Sequence, residues 1–416
     1  MRASMRLAFS VFTWALAACG SSDGPPAAAA RAEGGAVDAT AAPVSDAASM
    51  LSEASEAPEA AFAVGDASHD AGDTPSGSSC SASVAGIAVD ERELSGYPSY
   101  AIDGCLLVYV ARGSGGASGD LYARELRGGT EVLVAAAGEV PRRPSLGALG
   151  PESDRAVIAW EATLDGKSVV RVAHEGITRT LAGPFDHAAE PRAVADGVVF
   201  TAWIDKDEGG DTDVMLYLPA TGAIVPAVTG PGQQRFAAVS SAYVVATDFS
   251  EDPDGRYDAL LDLADLAVYD RRSGQTTKRP QPGKQAFPTL PGGGKVAYLH
   301  WESAEIHPEP KLADYHLRVG PLSSLDFAQD RELAHVRSGA VPYVRPAARD
   351  GIVEWVDSGG GKTRFWRAPT DSLSAPQSID TIGGVALYAP APGPNFTVLA
   401  VRSTFQDPVR LSAVAR

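Results

Sequence analysis

Nine consecutive residues, Asp205-Lys206-Asp207-Glu208-Gly209-Gly210-Asp211-Thr212-Asp213, crowd five acids around a glycine pair. Carboxylates at Asp205, Asp207, Asp211 and Asp213 are spaced to wrap a hard cation such as Ca²⁺, which takes six to eight oxygen ligands. The loop departs from an EF-hand: Gly209 stands at the third acidic position and Leu216 where the bidentate glutamate belongs. A solvated hairpin loop is the competing account of the same residues. His300, His307 and His316 gather with Glu302 and Glu305 but lack close ligand spacing, and the chain has no HExxH. They are expected to be ordinary core or surface histidines. Gly-x-Ser-x-Gly, P-loop and dinucleotide-binding patterns are missing as well, so no catalytic residue is assigned. A propeller-type fold could still carry carboxylates on separate blades around a central funnel, where sequence spacing does not reveal them.

Cysteine chemistry begins near residue 1. Arg2 and Arg6 precede an uncharged apolar run, Leu7–Ala18, too short to be a resident membrane span. The run ends in Leu16-Ala17-Ala18-Cys19-Gly20, which resembles the bacterial lipobox. That resemblance implies a signal peptide over 1–18, diacylglycerol on the Cys19 thiol, and stable anchoring by more than one acyl chain. Gly20, rather than Asp, after the cysteine favours the outer membrane by the same resemblance.

The chain has 52 acidic and 35 basic residues, a net charge of −17. Ten of the acids fall in residues 20–79 against Arg31 alone, which leaves −10 for residues 80–416. No basic footprint exists, so nucleic acid is not an expected partner. Residues 20–79 are Ala, Gly, Ser, Pro, Asp and Glu with few large apolar groups, and cannot bury enough surface to offset their ordering entropy. With Cys19 they read as a lipidated, disordered tether (19–79) carrying one folded domain over 80–416.

That domain shows short Val/Ile/Tyr-rich runs between Gly/Asp/Pro turns, the pattern of an all-β fold. One strand recurs, often ending in Trp: Ala156–Trp160, Val198–Trp203, Val296–Trp301 and Ile352–Trp355. Leu106–Val110, Tyr243–Thr247 and Thr397–Val401 are its Trp-free versions. A proline opens most units (Pro98, Pro144, Pro191, Pro288, Pro342), and a third strand follows, as in Gly119–Ala123, Asp213–Leu218, Asp265–Asp270 and Asp314–Val319. Seven units at intervals of roughly 45 to 54 residues predict a propeller of seven four-stranded blades, with six as the alternative. The tryptophans fall at equivalent repeat positions and are expected to pack between blades.

The repeats resemble TolB-type propeller repeats over about residues 84–416, most closely in the first, third and fourth units. TolB carries an additional N-terminal α/β domain with no counterpart in residues 1–79, so its partners are not carried over. The last unit, from Val385, holds three strands, and Ile87–Leu94 is expected to pair beside Val409–Val414 and close the ring. Strands two and four of a blade begin on one face, so Cys80 and Cys105 are placed to form a disulfide in an oxidising compartment. The functional expectation is an envelope-anchored lipoprotein whose propeller binds a protein or glycan. It requires no cofactor, with Ca²⁺ as the candidate ion. The alternative is a propeller enzyme, a polysaccharide lyase, glycosidase or peptide hydrolase, with carboxylates in the central channel.

Overall fold

The structure is a computed structural model. It describes Cys80 and residues 83–416, apart from 91–97, 115–116, 149–155, 204–209, 254, 257–262, 302–312, 325–328, 339–344, 358–362, 372–373, 380–385, 388–389 and 405–406. Signal peptide and tether therefore lie outside the described residues, as do Asp205, Asp207, Glu302, Glu305, His307 and Pro342.

Seven antiparallel sheets follow one another along the chain. Blade 1 holds β1 (Tyr100–Asp103), β2 (Leu106–Arg112), β3 (Ser118–Glu125) and β4 (Glu131–Ala135). In blade 2 are β5 (Arg142–Gly147), β6 (Val157–Leu164), β7 (Lys167–His174) and β8 (Ile177–Thr180). β9 (His187–Val194), β10 (Gly197–Trp203), β11 (Thr212–Leu218) and β12 (Ala223–Val228) make blade 3. Blade 4 comprises β13 (Gln234–Val239), β14 (Tyr243–Asp248), β15 (Asp265–Asp270) and β16 (Gln275–Arg279). Next come β17 (Lys284–Gly292), β18 (Lys295–Trp301), β19 (Ala313–Pro321) and β20 (Arg331–Ser338) of blade 5. Blade 6 contains β21 (Ala347–Arg349), β22 (Ile352–Asp357), β23 (Arg364–Pro369) and β24 (Gln377–Ile379). In blade 7 an interrupted first strand, β25 (Ala386–Leu387) and β26 (Ala391–Pro392), pairs with β27 (Phe396–Arg402), and β28 (Arg410–Ala415) follows.

The first strands touch one another in sequence, β1 to β5, β9, β13, β17, β21, β26 and back to β1, so they surround a common axis. This is a seven-bladed β-propeller. Middle strands are covered on both faces by neighbouring blades, which explains their unbroken apolar runs: every residue of β10 is buried. Outermost strands meet water and read polar, as in Ile177-Thr178-Arg179-Thr180 of β8, exposed throughout. Polar edges of this kind resist pairing with other chains. Separate apolar clusters fill the wedges between blades; one packs Val108, Leu121, Leu146, Ile158 and Trp160 between blades 1 and 2. Trp160, Trp203 and Trp355 are buried, in keeping with the packing role expected of them.

Closure uses the segment before blade 1. Leu411 N–H donates to the Ile87 carbonyl, while Gly86 and Val89 donate to the carbonyls of Leu411 and Val409. The segment thus adds an outer strand to β28, and a bridge from Val89 to Ala111 ties it to blade 1. Residues 91–94 of the expected strand fall outside the described residues. A Cys80–Cys105 disulfide, with Cα atoms 5.7 Å apart, joins this segment to the turn between β1 and β2. Cys80, Val84, Val89, Tyr100, Phe396 and Leu411 share one buried cluster at the seam. Tyr100 reaches across it, its hydroxyl accepting from Ala400 N–H at 3.0 Å.

Candidate functional site

Four axial strands carry the same irregularity. In each, two residues face one on the neighbouring strand: Arg143-Pro144 face Trp160, Glu190-Pro191 face Phe200, Phe236-Ala237 face Ala246, and Phe287-Pro288 face Tyr298. The first residue of every bulge is left-handed, with φ of 49° at Arg143, 58° at Glu190, 58° at Phe236 and 57° at Phe287. A non-glycine residue costs roughly 1–2 kcal/mol in this region. Bulges re-aim side chains, and repeated strain of this kind gathers at functional sites. The unit-opening prolines are therefore the second residues of bulges in blades 2, 3 and 5. In blade 6 Arg345-Pro346 stand directly ahead of β21, and Pro342 lies outside the described residues.

The re-aimed side chains meet. Arg235 Nη2 donates to Glu190 Oε1 at 2.7 Å, and Thr201 Oγ1 and Phe236 N–H donate to Glu190 Oε2 at 3.1 and 3.3 Å. Arg143 Nη1 and Arg142 Nη2 lie 3.0 and 3.2 Å from the Glu161 carboxylate. Glu190 N–H joins the two groups by donating to Glu161 Oε2 at 3.4 Å. The Arg345 guanidinium lies 4.3 Å from the Phe236 ring centre and 4.7 Å from that of Phe287. The two rings are 4.9 Å apart. Arg235 also stacks on Trp203, at 5.4 Å.

Burial alone would raise the Glu190 pKa, but Arg235, Arg345 and Arg143 outweigh it and hold the carboxyl down at about 2. Glu190 is therefore a fixed anion, unsuited to general acid catalysis. Among the described residues, four arginines and two glutamates meet here. Glu190 is 2% exposed, whereas the side chains of Arg143 and Arg235 keep 23% and 18% exposure. Arg143 and Arg235 thus keep some exposure beside a closed carboxylate. Glu354 differs: burial raises its pKa against Thr397, Arg416 and Arg367. Its side chain is fully enclosed and accepts Thr397 Oγ1 at 2.7 Å, so it locks blade 6 to blade 7.

Of the acidic loop, Asp211 and Asp213 are described. Asp211 Oδ1 accepts Gly232 N–H at 3.1 Å, and Asp213 pairs with Ala202 within blade 3. Burial raises the Asp213 pKa, opposed by a hydrogen bond from the Gly230 backbone. Both carboxylates thus brace the 230–232 turn. His300 and His316 stand opposite each other on β18 and β19, with ring centres 6.3 Å apart, and His335 on β20 extends the row. Sequence spacing had not singled out His335, nor the axial residues, of which Arg143, Glu190, Phe287 and Arg345 carried one available mark, a place just before a proline.

No protein-family model matches the chain, and no curated protein does. Solved structures match it by shape. The β-propeller domain of the Trilobed protease from Pyrococcus furiosus is 10% identical, covering 76% of this chain and 94% of that one, with a TM-score of 0.54. Pyrococcus horikoshii acylaminoacyl peptidase is 8% identical at a TM-score of 0.51; the match covers 79% of this chain and 53% of the peptidase. TolB from Acinetobacter baumannii is 15% identical over 64% of this chain and 61% of its own, with a TM-score of 0.41. The likeness is one of fold. At these identities the match speaks to the fold alone, since one architecture hosts many functions.

Proposed function

We propose that this protein is an envelope lipoprotein whose propeller captures a protein or glycan by an acidic group seated on the axial arginine–aromatic cluster. The supporting observation is the set of left-handed bulges that gather Arg143, Phe236 and Phe287 with Arg345 beside the buried carboxylates of Glu190 and Glu161. Planar guanidinium groups match carboxylate and phosphate oxygens. Cys19 would hold the domain to the membrane, and residues 20–79 would give it reach on the order of 40 Å. A neutral metabolite would have little to gain from such a cluster.

The test uses the full chain immobilised through its lipid, with polygalacturonate, poly-glutamate and neutral dextran as probes. The acidic polymers are expected to bind and dextran to pass. Arg143→Gln with Arg345→Gln should weaken retention at least about tenfold, the effect of losing charge-assisted contacts worth about 1.5–3 kcal/mol. Equal binding of all three polymers, or no loss in the double variant, would remove the axial cluster from the proposal. Turnover of a polysaccharide or peptide that a single carboxylate substitution abolishes would replace capture by catalysis. For the anchor, Cys19→Ala should abolish acyl labelling.

Calcium is the ion proposed for the Asp205–Asp213 loop. Millimolar Ca²⁺ should then stabilise the fold, as any ligand of the native state does, by about 2.7 kcal/mol at a hundredfold excess over Kd, and so raise the thermal midpoint. Asp207→Ala should flatten that response. Asp211→Ala is less clean, because it also removes the acceptor for Gly232 N–H. A midpoint indifferent to Ca²⁺ in the parent protein returns the loop to a solvated hairpin.

A further inference from the structure

We propose that His316, Glu332 and His335 on the outer half of blade 5 form a zinc site. His316 and His335 are direct cross-strand partners on β19 and β20, with rings stacked 4.2 Å apart at 18°. In a regular ladder Glu332 would face away from His335, because side chains alternate along a strand. A bulge reverses this. Leu317 pairs with Ala334 and Arg318 with Glu332, which leaves Leu333 as the extra residue. Leu333 stays buried against blade 6 with Leu317 and Val353, and Glu332 is carried round to the histidine face. Its Oε2 lies 2.8 Å from His316 Nδ1.

One ligand atom from each of the three residues lies within 4.8 Å of the other two. Bonds of about 2.0–2.2 Å to a shared ion bring ligands closer than this, and rotation of the exposed His335 and Glu332 side chains supplies the difference. Two imidazoles and a carboxylate are a donor set suited to zinc, with a fourth position left to water or a ligand. Arg318 lies opposite Glu332 on the same face and works against a hard cation held by charge alone, which again favours imidazole bonding. His300 backs the row without ligating. Burial first, then Arg318 and His316, pushes its pKa down to about 4, and the Gln281 amide occupies its Nδ1 at 2.6 Å. Cys80 and Cys105, joined to each other, do not compete for the ion.

Calorimetric titration of the purified full chain with zinc sulfate at pH 7.5 tests the site, with Co²⁺ absorption reporting the coordination. One equivalent is expected to bind with micromolar Kd. His335→Ala and Glu332→Gln should each raise Kd at least about tenfold. Both positions are exposed, so the metal-free thermal midpoint should stay where it is. Absence of stoichiometric zinc uptake, or undiminished uptake by the His335→Ala protein, overturns the proposal.

Discussion

Glu190→Gln is expected to destabilise the propeller by about 3–5 kcal/mol at pH 7, the range for breaking a buried ion pair from one side. The amide keeps the shape and leaves Arg235, Arg345 and Arg143 facing one another without their shared anion. The loss should also depend on pH in a defined direction. The carboxyl titrates near 2 when folded and near 4.5 otherwise. Its contribution is complete above about pH 4.5 and disappears as pH falls toward 2, because protonation then favours the unfolded chain. Urea midpoints of parent and variant should converge across that window. A variant as stable as its parent at pH 7 would show that the axial arginines do not need this carboxylate.

Deleting residues 80–90 should cost more still. Val84 and Val89 are fully buried, and each contributes about 1.5–3 kcal/mol by burial. The disulfide closes a separation of 25 residues and adds about 3 kcal/mol in the chain-entropy model. The combined loss, more than about 6 kcal/mol, is comparable with the whole stability of many domains. It would also bare the β28 edge, so oligomers on size exclusion are expected together with the lowered midpoint. A truncated chain that stays monomeric with an unchanged midpoint would mean that the ring closes by other contacts.

Middle strands were the legible part of this fold. Neighbouring blades cover both their faces, so β6, β10, β18 and β22 appear as apolar runs ending in or containing tryptophan. Axial strands were not. They are mixed in polarity and bulged, as Arg142-Arg143-Pro144-Ser145 illustrates, so no period of two survives in them. The prolines gave the repeat length but hid what lay beside them: Arg143, Glu190 and Phe287, each just before one, are turned into the cluster. His335 escaped notice for another reason. Its neighbours His316 and Glu332 belong with it only through strand register and one extra residue, Leu333, neither of which is written in local spacing.

Arg410 and Gly86, which meet at the seam, are 324 positions apart. While the chain folds, the segment that finishes blade 7 must wait for its partner, because so long a loop is slow to close. For that interval its hydrogen-bonding groups are unmatched, and topology of this kind folds late and slowly. The disulfide partner, Cys105, is only 25 residues away and is available almost at once. A bond formed early would park the waiting strand against blade 1, where Asp90 N–H already finds the Val110 carbonyl. Arrival of the last blade would then meet a docked strand in place of a free tail, converting the longest-range step of assembly into a short one.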